Sequence, residues 1–166
     1  MPIHSLNALV LCTGNSARSI LGEAILNKLG EGRVTAYSAG SQPKGEPHPH
    51  AVRLLDDLGY DTGFARSKSW DEFSGPDAPA MDLIFTVCDS AAAEACPVWP
   101  GHPATVHWGI PDPAAAAGTD EDIRAAFETA YRQLEERVNA FLNLPLGEID
   151  MPELVKELRR IGEAAS

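Results

Sequence analysis

The run Cys12-Thr13-Gly14-Asn15-Ser16-Ala17-Arg18-Ser19 places a thiol, a glycine and an arginine within one loop's length. It follows a short apolar stretch and precedes a helical pattern. At such a junction, successive backbone N–H groups turn inward at a helix N-terminus and form a nest for an anion. Gly14 allows a tight loop path. Arg18 offers a planar, bidentate fork to a tetrahedral oxyanion. A thiol at the base of this nest feels the helix dipole and the guanidinium charge, so the sequence predicts a lowered Cys12 pKa and a reactive thiolate. Nucleophile and oxyanion cradle (Thr13, Gly14, Asn15, Ser16, Ala17, Arg18 and Ser19) thus come from one stretch.

Three further residues stand out by type. Cys88 closes the apolar run Leu83 to Val87 and reads either as a core thiol or as a second reactive one. Cys96 follows after seven residues, either as a partner for Cys88 or as a surface bystander. Asp112, stiffened between Pro111 and Pro113, is a turn residue or a proton donor to a leaving oxygen. No close Cys-x2-Cys pair suggests zinc, so no protein metal centre is expected. His48 and His50 read as solvated turn histidines, and Trp99 and Trp108 as packing residues.

The elements that must position these groups alternate in type. Strand patterns at Leu6 to Leu11, Val34 to Ser38, Leu83 to Val87 and Thr105 to Trp108 interleave with helical spacing from Ser19 and over Val52 to Leu58. Asp61 to Pro79 reads as irregular and Ala91 to Ala95 as a helical turn. Thr119-Asp120-Glu121-Asp122 opens a long helix whose buried stripe is Ile123, Ala126, Phe127, Ala130, Tyr131, Leu134, Val138 and Phe141. A shorter helix follows Pro145, with Leu154, Leu158 and Ile161 on one face. This order predicts an α/β three-layer sandwich on a four-stranded parallel sheet. Parallel strands deliver their C-terminal ends to one edge, so Cys12 and Cys88 are expected side by side.

Length and composition fit one globular domain, here divided as residues 1–143 with a C-terminal extension, 144–166. Thirteen Lys and Arg against 24 Asp and Glu leave a net charge of −11. Such a field repels nucleic acid and anionic membrane, so an anion ligand needs a local device. The N-terminus lacks a basic n-region, and Leu9-Val10-Leu11 is too short to span a bilayer, so a cytoplasmic location is expected. Three cysteines without an export signal do not make a disulfide framework.

Cys-x5-Arg-Ser at the first strand–helix junction resembles the signature of the low-molecular-weight protein tyrosine phosphatase fold. The wording of the loop is similar to that of the arsenate reductases sharing that fold. Tyr37-Ser38-Ala39-Gly40, Ser67-Lys68-Ser69-Trp70, Phe85-Thr86-Val87-Cys88-Asp89, Cys96-Pro97 and His107-Trp108-Gly109 leading into Pro111-Asp112-Pro113 extend the resemblance over roughly residues 6 to 142. It implies reduction of arsenate to arsenite, and a role in arsenic detoxification. Cys12 would form an arsenic adduct, Cys88 would attack it and expel arsenite, and Cys96 would carry the disulfide outward to a thiol reductant. Asp112 matches the general acid and Ser19 a partner of the Cys12 thiolate. Thioredoxin is the favoured reductant, because an internal disulfide suits dithiol exchange; glutaredoxin and glutathione are the other candidates. Phosphate and sulfate would compete with arsenate. Asn15, Glu23 and Ser38 match positions that hold potassium in some related reductases, or else they brace the loop.

Geometry constrains the relay. If residues 88–96 were helical, the two Cα atoms would lie ~12 Å apart, beyond the ~7 Å a disulfide tolerates. The segment would have to loop or unwind on oxidation. The chain carries one residue more between Cys88 and Cys96 than the resembling reductases. The rival enzyme is a tyrosine phosphatase, against which stand the extra cysteines and Ala114 to Ala117 where aromatic residues would grip a phosphotyrosine ring. A rival of another class is a non-catalytic redox or metalloid sensor.

Overall fold

A computed structural model describes residues 5–88 and 103–164. The chain runs β1 (Leu6–Leu11), α1 (Arg18–Leu29), β2 (Val34–Ala39), α2 (Pro49–Asp57), β3 (Leu83–Thr86), β4 (Ala104–His107), α3 (Asp120–Leu142) and α4 (Met151–Ala164). Single 3₁₀ turns lie at Thr62–Phe64, Trp70–Phe73 and Pro113–Ala115. Cys96, Trp99 and the expected turn at Ala91 to Ala95 lie outside the described residues.

All strands are parallel, in the order β2-β1-β3-β4. The central strands are apolar but for Asn7 and Thr86: β3 is buried at every position and β1 at all but Asn7. That pattern means both sheet faces are covered. The edge strands instead carry exposed residues, Thr35 in β2 and Thr105 and His107 in β4. Register aligns Leu11 with Ala39 and Thr86, and Thr86 with His107. Every strand therefore ends at the same edge. The order reverses at β1, whose neighbours are reached in opposite directions, and a crevice opens at such a switch point. Cys12 and Cys88 sit there, one and two residues beyond their strands.

Helix α1 is buried from Ser19 to Leu26. A capping box starts α3: Asp122 N–H donates to Thr119 Oγ1, and Thr119 N–H donates to the Asp122 carboxylate. Along α3, Phe127, Ala130, Leu134, Val138 and Phe141 are buried as expected, while Ile123, Ala126 and Tyr131 are only half-buried. The same face also buries Arg137, which apolar periodicity could not reveal. Trp108 stacks among Phe85 and Phe141, with ring centroids 4.3 and 6.4 Å away. Its Nε1 donates to Leu158 O at 2.9 Å. That bond ties α4 to the sheet edge, where Leu154 and Leu158 are fully buried. No helix among the described residues is long and apolar enough to cross a membrane.

Candidate active site

The Cys12–Ser19 loop is held from beneath. Cys12 N–H donates to Ala39 O at 3.3 Å, carrying the β1–β2 pairing into the loop. The left-handed residue of the loop is Asn15 (φ 43°), not Gly14. Asparagine tolerates that region because its short polar side chain bonds locally. Here Asn15 Nδ2 donates to Ser19 Oγ (2.8 Å) and Ser38 Oγ (3.0 Å), and Oδ1 accepts the Lys68 N–H (2.8 Å). Gly14 serves another purpose: the Lys44 side chain passes over it, 3.2 Å from where a Cβ would stand. Gly40 is fixed by closeness too, since a Cβ there would lie 2.4 Å from Thr13 O and 2.7 Å from Cys12 O.

Above the loop lies a cleft of about 460 Å³ lined by Cys12, Gly14, Arg18, Lys44, Cys88 and Asp112, among others. Both cysteines are buried thiols outside any disulfide. The structure corrects the expected pKa. The Cys12 thiol is held well above its ordinary range, first by its hydrogen bond with Cys88 and then by burial; Arg18 and the Gly14 amide pull it down. Two facing sulfurs share one negative charge readily and resist a second. The loop sequence carries the lowering groups and is silent about the thiol that arrives from β3. Thr13 Oγ1 also lies 3.8 Å from Cys88 Sγ.

Arg18 Nη1 donates to Ile110 O at 3.0 Å, and Nη2 lies 3.6 Å from Asp112 Oδ2. Arg18 Nε is buried without a hydrogen-bond partner. A buried cationic donor left open beside a thiol is what a bound oxyanion would satisfy. Asp112 is partly exposed; its Oδ1 accepts the Ala114 N–H at 2.9 Å, which orients the carboxyl at the rim.

Beneath the loop, Lys68 and Glu23 form a buried ion pair, Nζ to Oε1 3.7 Å. Ser38 Oγ donates to Glu23 Oε1 at 2.5 Å and accepts from Lys68 Nζ at 3.3 Å. Lys68 Nζ also donates to Arg66 O at 3.1 Å. Burial pushes the Glu23 carboxyl up and the Lys68 ammonium down, and each charge restrains the other's shift. The residues matched to a potassium site do not fit one here. Asn15 Oδ1 and Ser38 Oγ are committed to protein donors, and an ammonium already stands against the carboxylate. A second cation would be repelled.

The structure thus brings Cys12, Arg18, Cys88 and Asp112 to one cleft and sets Asn15, Ser19, Glu23 and Ser38 beneath it. Sequence reasoning missed Lys44, Lys68 and Arg137 as parts of this region. Lys68 lies 53 residues from Asn15 in the chain, and nothing local advertises a contact that long-range folding makes. The histidines also differ from expectation. His48 Nδ1 accepts the His50 N–H as the cap of α2, and its ring lies 4.8 Å from Phe127. His50 Nε2 pairs with Asp120 at 3.0 Å. Packing on Phe127 leaves both residues half-buried rather than solvated.

A thiol, a guanidinium and a carboxylate converging at the switch point of a parallel sheet define an enzyme of the cysteine-based, oxyanion-handling class. The chain matches the low molecular weight phosphotyrosine protein phosphatase family over residues 7–159, and it belongs to that family. The match runs past residue 143 into α4. An arsenate reductase of Halalkalibacterium halodurans is 37% identical over 131 residues, covering 79% of this chain and 91% of its own. Among solved structures, an arsenate reductase in the phosphate binding state aligns with TM-score 0.65 at 24% identity, over 81% of this chain and 94% of its own. A thioredoxin-dependent arsenate reductase of Corynebacterium glutamicum aligns with TM-score 0.54 at 21% identity, over 81% of this chain and 62% of its own.

Proposed function

We propose that this chain reduces arsenate to arsenite, with Cys12 as nucleophile and Cys88 as the thiol that completes the reduction. The observation that carries this reading is the Cys88 thiol facing Cys12 inside the anion cleft. A phosphatase needs one thiol there; a reductase needs two. The relatives named arsenate reductases support the same reading.

The oxyanion binds to the loop amides, Arg18 Nε and Nη2. Cys12 gives its proton to an oxygen of the bound arsenate as its sulfur attacks arsenic, and that oxygen leaves as water after a second proton from Asp112. Ser19, beneath the loop, supports the thiolate. Cys88 thiolate then attacks the Cys12 sulfur. The S–As bond breaks with its electron pair staying on arsenic, so As(V) becomes As(III) and a Cys12–Cys88 disulfide forms. Cys96 next attacks Cys88 and releases Cys12 as thiolate. An external dithiol, thioredoxin in this reading, reduces the Cys88–Cys96 disulfide. No metal ion enters the scheme.

The test is to assay Cys88→Ser for arsenate-dependent oxidation of reduced thioredoxin and, separately, for hydrolysis of an aryl phosphate. Reduction is expected to stop while hydrolysis, which needs only Cys12, Arg18 and Asp112, survives; Cys12→Ser should lose both. Undiminished arsenate turnover by Cys88→Ser would falsify the relay. A wild-type chain that hydrolyses aryl phosphates and never oxidises thioredoxin is a phosphatase.

A further inference from the structure

The loop's underside carries a positive charge of its own. Lys68 is 6% exposed, and Glu23, Ser38, Asn15 and Ser19 around it are all buried. Its ammonium contacts Glu23, Ser38 Oγ and Arg66 O, while its backbone N–H holds Asn15 Oδ1. The next residues close the clamp. Gly40 N–H donates to Lys68 O at 2.9 Å, and Trp70 N–H donates to Gly40 O at 2.9 Å. Ser67 Oγ donates to Gly14 O at 3.1 Å. The segment 67–70 therefore grips the loop at Gly14, at Asn15 and, through Gly40, beneath Cys12.

The Glu23 carboxylate is the reason a cation is needed there. Buried behind a loop built to receive anions, an unbalanced carboxylate would oppose the ligand and carry a large desolvation cost. We propose that Lys68 is the resident cation of this site: its ammonium balances Glu23 in place of an exchangeable monovalent metal ion, and through Ser38 and Asn15 holds the loop in its anion-binding shape. Lys68 touches no substrate and is a positioning residue. Because the charge is covalently attached, oxyanion binding does not depend on potassium. The inference rests on the reading of the Cys12 loop as an oxyanion site.

The test measures inorganic phosphate affinity by calorimetry in potassium, ammonium and choline chloride at equal ionic strength. The wild type is expected to bind equally in all three. Lys68→Ala removes the ammonium and leaves a cation-sized space, so its affinity in choline should fall about ten-fold or more. Potassium or ammonium should restore most of that loss, which a purely structural defect would not show. Lys68→Met fills the space without charge and should bind weakly in every salt. Wild-type binding that requires potassium overturns the proposal. So does Lys68→Ala or Lys68→Met binding phosphate like the wild type in choline. If Lys68→Ala unfolds in choline, its recovery in potassium supports the inference, and unfolding in all three salts alongside cation-restored binding by Lys68→Met overturns it. A wild type that binds no phosphate in any salt refutes the oxyanion site itself, independently of Lys68.

Discussion

Arg137 Nη1 donates to Trp108 O at 2.8 Å and to Gly109 O at 3.1 Å. A guanidinium buried in α3 thereby holds the strand-end segment that leads into Ile110, which receives Arg18, and Asp112. Burial pushes the Arg137 guanidinium pKa down, yet its two carbonyl acceptors remain its partners. The geometry links the long helix to both ionic groups at the cleft.

Arg137→Met leaves two carbonyls without their donor, and each buried acceptor left unmet costs about 1–3 kcal/mol. Urea unfolding should show a loss of about 2–6 kcal/mol. Among activities, hydrolysis of phosphate esters with poor leaving groups should fall more than that of aryl esters with good ones. Poor leaving groups depend most on a correctly placed acid. An equal loss for both ester types would mean that Arg137 does not position Asp112.

Removing the facing thiol should free the nucleophile. The largest cause raising Cys12 is its hydrogen bond with Cys88, followed by burial. In Cys88→Ala the thiol should therefore deprotonate at lower pH. The rate of Cys12 alkylation by iodoacetamide, followed by mass spectrometry across pH, should rise earlier in the variant than in the wild type. Coincident profiles would show that Cys88 does not control the Cys12 proton.

Gly40→Ala forces a Cβ to within 2.4 Å of Thr13 O. The neighbour is backbone on the loop itself, so the strain cannot be absorbed by a side chain. The variant should lose about 1–3 kcal/mol in stability, the ordinary cost of overpacking, and should bind phosphate more weakly. Normal phosphate affinity in a chain destabilised by that amount would separate loop shape from anion binding.

His48 links the loop to pH. Its N–H donates to Ser16 O at 2.8 Å, and burial, with His50 and Lys44 nearby, holds its imidazole below the ordinary 6.5. A depressed folded-state value means that stability is present above pH 6.5 and is lost as pH falls through the lower range. Protonation also removes the Nδ1 acceptor that caps α2. His48→Asn keeps an acceptor without titrating, so its Tm should fall less than that of the wild type between about pH 7.5 and about pH 5.5. Equal losses would assign the acid sensitivity to other groups.

What the sequence determined by itself was local. Apolar runs bounded by turn residues specify the strands, three- and four-residue spacing specifies the helices, and alternation of the two specifies a parallel sheet. The Cys12–Ser19 run announces an anion cradle because its parts are contiguous, and the end of β3 places Cys88 on the same edge. Tertiary structure decided what depends on groups that meet from distant parts of the chain. Asn15, rather than Gly14, takes the left-handed turn because Ser38, Ser19 and Lys68 saturate its amide. The Cys12 proton is held because a second thiol faces it. Lys68 stands against Glu23, where the resemblance offered either potassium or a brace for the loop, because the segment after α2 folds back under the loop. Arg137 enters an apolar stripe because two carbonyls beyond β4 await a donor. Burial, hydrogen-bond partners and charge neighbours belong to the assembled chain, and a one-dimensional pattern of residue types does not contain them.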